Sequence, residues 1–175
     1  IVRDGINRLV EFQWGLIPPW AKDPAISYKM INARAETVAE KPSFREAFRK
    51  HRCLIISDGF YEWKKDGKRK IPMRIMLKSG EPFVFAGLYS NWRSPDGRVI
   101  QSCAIITTDA NELIAPIHDR MPVILAKKDQ QEWIDPDEKD SGKLLSMLKP
   151  YPPGDMEIRA ADPSNLKPAL IKDKP

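Results

Sequence analysis

Residues 52–77 read "RCLIISDGFYEWKKDGKRKIPMRIML", and the fold class turns on how this run is divided. "CLII" is an apolar run of strand length. "FYEWKK" and "KIPMRIML" flank Asp66-Gly67, a dipeptide that reverses direction between two strands because glycine tolerates a positive φ. The division is therefore strand, hairpin strand, turn, hairpin strand. The same grammar returns downstream. "EPFVFAGLYSNW" (81–92), the turn "SPDG" (94–97) and "RVIQSCAIITT" (98–108) predict a second hairpin.

Upstream, "RLVEFQWGLI" (8–17) reads as a strand stopped by Pro18-Pro19, with Trp14 in the core. Ser43 is the expected N-cap of a helix whose apolar face is Phe44, Ala47 and Phe48 and whose end is the basic "RKHR". A short helical piece, "NELIAPI" (111–117), precedes "HDRMPVIL" (118–125), and helical patterns recur in 127–135 and 141–149. Residues 150–175 hold six prolines and little periodicity, so they are expected to wrap the surface or end as a tail. The architecture predicted is one α+β domain over 1–175: a curved, mainly antiparallel β-sheet, partly barrel-like, with peripheral helices.

With 175 residues, 42% hydrophobic and 30% charged, the chain has the balance of a globular protein with a real core. A net charge of +5 permits a polyanionic partner without specifying one. No apolar run reaches the length of a membrane span, so no membrane partner is expected. Cys53 and Cys103 lie inside apolar runs without a CxxC pattern and read as buried free thiols. His51 and His118 have no zinc-site spacing, and no metal or other cofactor is expected.

Four places carry polar residues that the local pattern does not require. In "INARAETV" (31–38), Asn32, Arg34 and Glu36 alternate with alanines, which suits either a solvated strand face or groups aimed at a ligand. Glu62 lies between Tyr61 and Trp63. It is either desolvated beside aromatic surface, which favours proton transfer, or turned to water while the rings pack inward. His118 and Asp119, in a loop stiffened by Pro116 and Pro122, are either an acid–base pair or a structural turn. Trp20, after Pro-Pro and near Lys22, suits stacking on a nucleobase or anchoring a loop. The run "KKDGKRK" (64–70) surrounds the hairpin turn and reads as a solvated tip.

Taken in order, "WGLIPPWAK", "NARAETVAEKPSFREAFRKHRCLIISDGFYEWK", "FAGLYSNW" and "TTDANELIAPIHDRMPVIL" closely resemble the SRAP domain, the SOS-response-associated peptidase family. The match runs from about Trp14 to Trp133. The resemblance implies recognition of abasic sites in single-stranded DNA and at single-strand/double-strand junctions. It implies that a cysteine exposed as residue one, after loss of the initiator Met, attacks the ring-opened deoxyribose. Its amine and thiol close a thiazolidine, a stable DNA–protein crosslink. Matched motif by motif, Asn32, Glu62 and His118 become the active-site residues. Arg34 and Arg120 become phosphate ligands, and Thr107 a further contact in the pocket; the alanines of the first motif become small neighbours that admit DNA.

The family opens with Met-Cys-Gly-Arg, whereas this chain opens at Ile1. The expectation is that the nucleophile lies outside the residues given and that the chain as it stands forms no thiazolidine. A monomer acting in the cytoplasm, at the nucleoid of a bacterium, is expected. A thiol peptidase acting on other proteins and a noncatalytic single-stranded-DNA-binding module are the alternatives.

Overall fold

The computed structural model describes residues 1–161; the rest of the proline-rich end, 162–175, lies outside the described residues. The first two strands, β1 (Val2–Asp4) and β2 (Ile6–Arg8), form a small separate hairpin. The main sheet is built on β9 (Val99–Asp109). The predicted second hairpin pairs β9 with β8 (Phe83–Arg93), and β8 pairs in turn with β5 (Arg52–Ser57), all antiparallel. Where β8 parts from β9 at Gly87, β10 (Arg120–Pro122) takes its place on the same edge of β9.

On the opposite edge β9 takes β3 (Gln13–Trp14) and then β4 (Asn32–Arg34), both parallel. The sheet is thus mixed rather than wholly antiparallel, and it curls into a half-barrel. The predicted first hairpin, β6 (Phe60–Asp66) with β7 (Arg69–Leu77), closes on Gly67-Lys68 with Gly67 at φ +57°. It forms a second sheet with β11 (Met156–Ala160). That last strand lies in a stretch where the sequence predicts no element; its backbone pairing with β7 supplies the order that periodicity does not.

Helices are short and peripheral: α1 (Arg45–Lys50), α2 (Gln130–Trp133) and α3 (Ser141–Ser146). They cover one face of the main sheet. Phe44, Phe48, Trp133 and Leu144 pack there on Leu54, Ala86, Leu88, Ala104 and Ile106. The rings of Phe48 and Trp133 are 6.1 Å apart, and burying such side chains contributes roughly 2–3 kcal/mol each. A second cluster, centred on Ile75, Phe83, Phe85 and Met121, fastens the smaller sheet to the main one.

Three local expectations are corrected. Ser43 is not the N-cap of α1. The chain is already turning by then, with Arg45 N–H bonded to the Lys41 carbonyl, so Phe44 holds the boundary without a side-chain cap. Trp14 is not in the core but 58% exposed: β3 is a two-residue edge strand, and the indole N–H is anchored on the Ile31 carbonyl. Ala33 and Ala35 are buried, and their size serves packing against Leu16, Val38 and Phe48 rather than the approach of a ligand. Between the edge strands, Gly15 (φ +115°) is required sterically, since a Cβ there would stand 2.6 Å from the Ser27 carbonyl oxygen.

Candidate active site

The two predicted acid–base residues come together from different sheets. On β6, Phe60 and Glu62 share the inward face, where Phe60 packs edge-on against Phe85 at 5.9 Å. Tyr61 and Trp63 point the other way, 39% and 49% exposed. The arrangement is the reverse of aromatics in and acid out. Glu62 therefore occupies the position where the apolar cluster gives way to solvent. Burial raises its carboxyl above the usual range and Asp119 adds to the rise, while His118 opposes it.

His118 is brought to this carboxylate by a pinned turn. Buried Asn111 accepts the Ile114 N–H at 3.1 Å and donates to the Tyr151 carbonyl at 2.7 Å, closing residues 111–117 into a helical turn. The chain then enters β10, and His118 and Asp119 face Glu62 across a groove of about 560 Å³. Lys65 and Lys70, cross-strand partners near the hairpin tip, also line it. The His118 Nδ1 lies 3.0 Å from the Arg120 N–H, 3.2 Å from the Arg120 carbonyl and 3.2 Å from an Asp119 carboxylate oxygen. In the neutral ring Nδ1 accepts from the Arg120 amide and the proton sits on Nε2.

Asn32 and Arg34 are exposed on one face of β4, in register with Ile105 and Thr107 of β9. The Arg34 side chain makes no hydrogen bond or salt bridge among the described residues. Thr107 shares that face but is only 8% exposed, and its carbonyl accepts from Arg120 at 2.7 Å. The Arg120 fork, expected to grip phosphate, grips carboxylates in this structure. Nη1 and Nη2 bind the two Glu36 oxygens at 2.9 and 3.0 Å, and Nη1 also binds Asp109 at 2.6 Å. The bond to Arg120 holds the Glu36 carboxyl below its usual range. Glu36 and Asp109 are residues the sequence reading does not assign to the site. The period-two run Asn32-Arg34-Glu36 is the only signal for the first, and none marks the second.

Trp20 stands apart. It is 58% exposed and lines a different cavity of about 570 Å³ with Arg45, His51 and Tyr89, not the Glu62 groove. Cys53 and Cys103 are free and buried; burial pushes the Cys53 thiol far up and that of Cys103 up to about 11. Neither is a thiolate near neutral pH. Among the described residues no cluster of His, Cys, Asp and Glu is arranged to hold a metal ion, and no helix is long and apolar enough to cross a membrane.

The raised Glu62 carboxyl has a consequence for stability. The folded chain binds this proton more tightly than the unfolded chain. The resulting stabilisation is full below the ordinary carboxylate range and is lost as pH rises through the raised value. Glu62→Gln removes the charge and keeps the shape. It is expected to raise Tm by about 2 °C near pH 7 and to leave it unchanged near pH 3, as measured by calorimetry.

The chain thus combines a curled mixed sheet with a groove lined by a carboxylate and an imidazole. The family model described as SOS response associated peptidase (SRAP) matches residues 1–164, and the chain belongs to that family. It is 54% identical over 179 residues to abasic site processing protein YoqW of Bacillus subtilis (strain 168), an alignment covering 98% of this chain and 80% of that protein. It is 55% identical over 159 residues to abasic site processing protein YoaM of the same strain, covering 90% and 70%. A crystal structure of a Bacteroides thetaiotaomicron protein superposes with a TM-score of 0.82 at 36% identity, over 87% of this chain and 69% of that one.

Proposed function

We propose that this protein processes abasic sites in single-stranded DNA by forming a thiazolidine crosslink through an N-terminal cysteine. The observation that carries the reading is a half-buried Glu62, its carboxyl raised, facing His118 and Asp119 across an open groove. Relatives named for abasic site processing support the same reading.

The chemistry fits these groups. His118 protonates the sugar ring oxygen as the C1–O bond breaks, and the C1 hydroxyl gives its proton to Glu62, leaving the aldehyde. The cysteine amine, neutral when it attacks, adds to that carbonyl; the carbonyl oxygen takes the proton Glu62 holds, and Glu62 then accepts one proton from the nitrogen. Glu62 returns that proton to the carbinolamine hydroxyl, which leaves as water, and the remaining N–H proton passes back to His118, giving the imine. The thiol then adds across the C=N bond and closes the ring, with net loss of one water. Asn32 positions the amine without adding charge, and Arg34, whose fork is unoccupied, holds a phosphate. Trp63, exposed at the rim of the groove, offers a face on which a base stacks. The cysteine becomes residue one by autoproteolytic removal of the initiator Met.

The test is made with the protein carrying the Met-Cys-Gly start. Incubated with a labelled abasic oligonucleotide, it is expected to give a heat-stable, slower-migrating adduct on a denaturing gel. The same protein with that cysteine replaced by serine is expected to bind and form none. No adduct from the cysteine-bearing protein would overturn the reading.

A further inference from the structure

The face that carries Arg34 and Arg120 is electrically cancelled. Glu36 chelates the Arg120 fork with both oxygens, Asp109 binds the same guanidinium, and the field of Arg34 also reaches Glu36. Two guanidinium groups are therefore matched by two carboxylates, and Arg120 directly follows Asp119, which lines the groove. The arginine is the less exposed partner: its side chain is 18% exposed, against 46% for Glu36 and 80% for Asp109. Its Nε is buried with no hydrogen-bond partner. A guanidinium fork accepts a carboxylate and a phosphate in the same two-pronged geometry. The carboxylates are thus exchangeable for phosphate, and they are the members of the cluster with room to move.

We propose that Glu36 and Asp109 are specificity-determining residues: they occupy Arg120 and neutralise this face, so that a DNA strand gains a phosphate contact there only by displacing a carboxylate. The proposal rests on the DNA reading above. An undamaged strand, held by backbone charge alone, gains little from such an exchange. A strand seated by its lesion in the Glu62–His118 groove has its phosphates already placed to compete. Selectivity then comes from the cost of the exchange rather than from a further contact to the lesion.

The experiment measures binding of the 175-residue chain to fluorescein-labelled single strands, undamaged and abasic, by anisotropy across a salt series. Glu36→Gln and Asp109→Asn are each expected to tighten binding to the undamaged strand about 3- to 10-fold at low salt and to steepen the salt slope by about 0.7, one more phosphate contact. The ratio of abasic to undamaged affinity is expected to narrow. Asp137→Asn, at an exposed position after α2, makes the same change in net charge and is expected to alter neither quantity. Undamaged-strand affinity that stays equal or falls in both folded variants overturns the proposal, as does an equal gain in Asp137→Asn. If one variant does not fold, the other decides. If the unaltered chain binds neither strand, the DNA reading itself fails and this proposal with it.

Discussion

Glu62→Gln is expected to slow adduct formation on abasic single-stranded DNA by about 10²- to 10³-fold under single-turnover conditions, with DNA affinity unchanged within about 2-fold. The split follows from placement. Glu62 lies on the inward face of β6 and contributes a proton acceptor, not a phosphate contact, so its loss falls on the chemical step. Gln fills the same space and hydrogen-bonds, but it neither takes the proton from the attacking amine nor returns one to the departing hydroxyl. His118→Ala removes the other proton carrier and is expected to be about as damaging. Because the two act in one sequence of transfers, the double variant is expected to be little slower than either single one. A Glu62→Gln protein that reacts at the unaltered rate would remove Glu62 from the mechanism. The same substitution is expected to stabilise the fold near neutral pH, which keeps a rate loss from being read as unfolding.

Arg52→Met is expected to lower stability by roughly 3–5 kcal/mol, a fall in Tm of about 10 °C or more. Arg52 is 4% exposed, and its guanidinium donates only to backbone carbonyls: Trp133 through Nε at 2.6 Å, Phe48 and Arg49 through Nη1, and Asp135 and Glu138 through Nη2. Two of those carbonyls belong to the last turn of α1, one to α2 and two to the loop beyond it. A single side chain on β5 thereby joins three segments, and the Trp133 ring lies 6.0 Å from its charge. Met fills the volume but leaves buried carbonyls without donors, the dominant cost. Arg52→Lys keeps the charge with three donors on one nitrogen, and is expected to recover less than half of the loss.

The contrast between these residues shows what the sequence can disclose. The hairpin at Asp66-Gly67 and the pairing of β8 with β9 are written locally, in turn chemistry and alternation, and both form as predicted. Arg52 reads in sequence as the basic end of a helix, because nothing nearby reveals that it starts a buried strand whose carbonyl partners include residues more than 80 positions away. The Arg120–Glu36 pair spans 84 positions and is equally invisible, so a phosphate clamp and a carboxylate-bound strut look the same in one dimension. Glu62 is an intermediate case. Alternation tells which residues share its face, but not which face is covered, and only the packing of Phe60 on Phe85 decides it. Trp14 fails for the same reason, in a strand too short and too near the edge to be covered on both faces.

The central claim is that the groove between Glu62 and His118 delivers an abasic aldehyde to an N-terminal cysteine, and mass spectrometry of the adduct tests it most directly. Lys65 and Lys70 line the same groove and are rival amines for the same aldehyde. The account predicts an adduct equal in mass to protein plus oligonucleotide less one water, mapped by digestion to the N-terminal peptide and abolished when the cysteine at residue one is replaced by serine. An adduct mapped to Lys65 or Lys70, or one that survives that replacement, would contradict it.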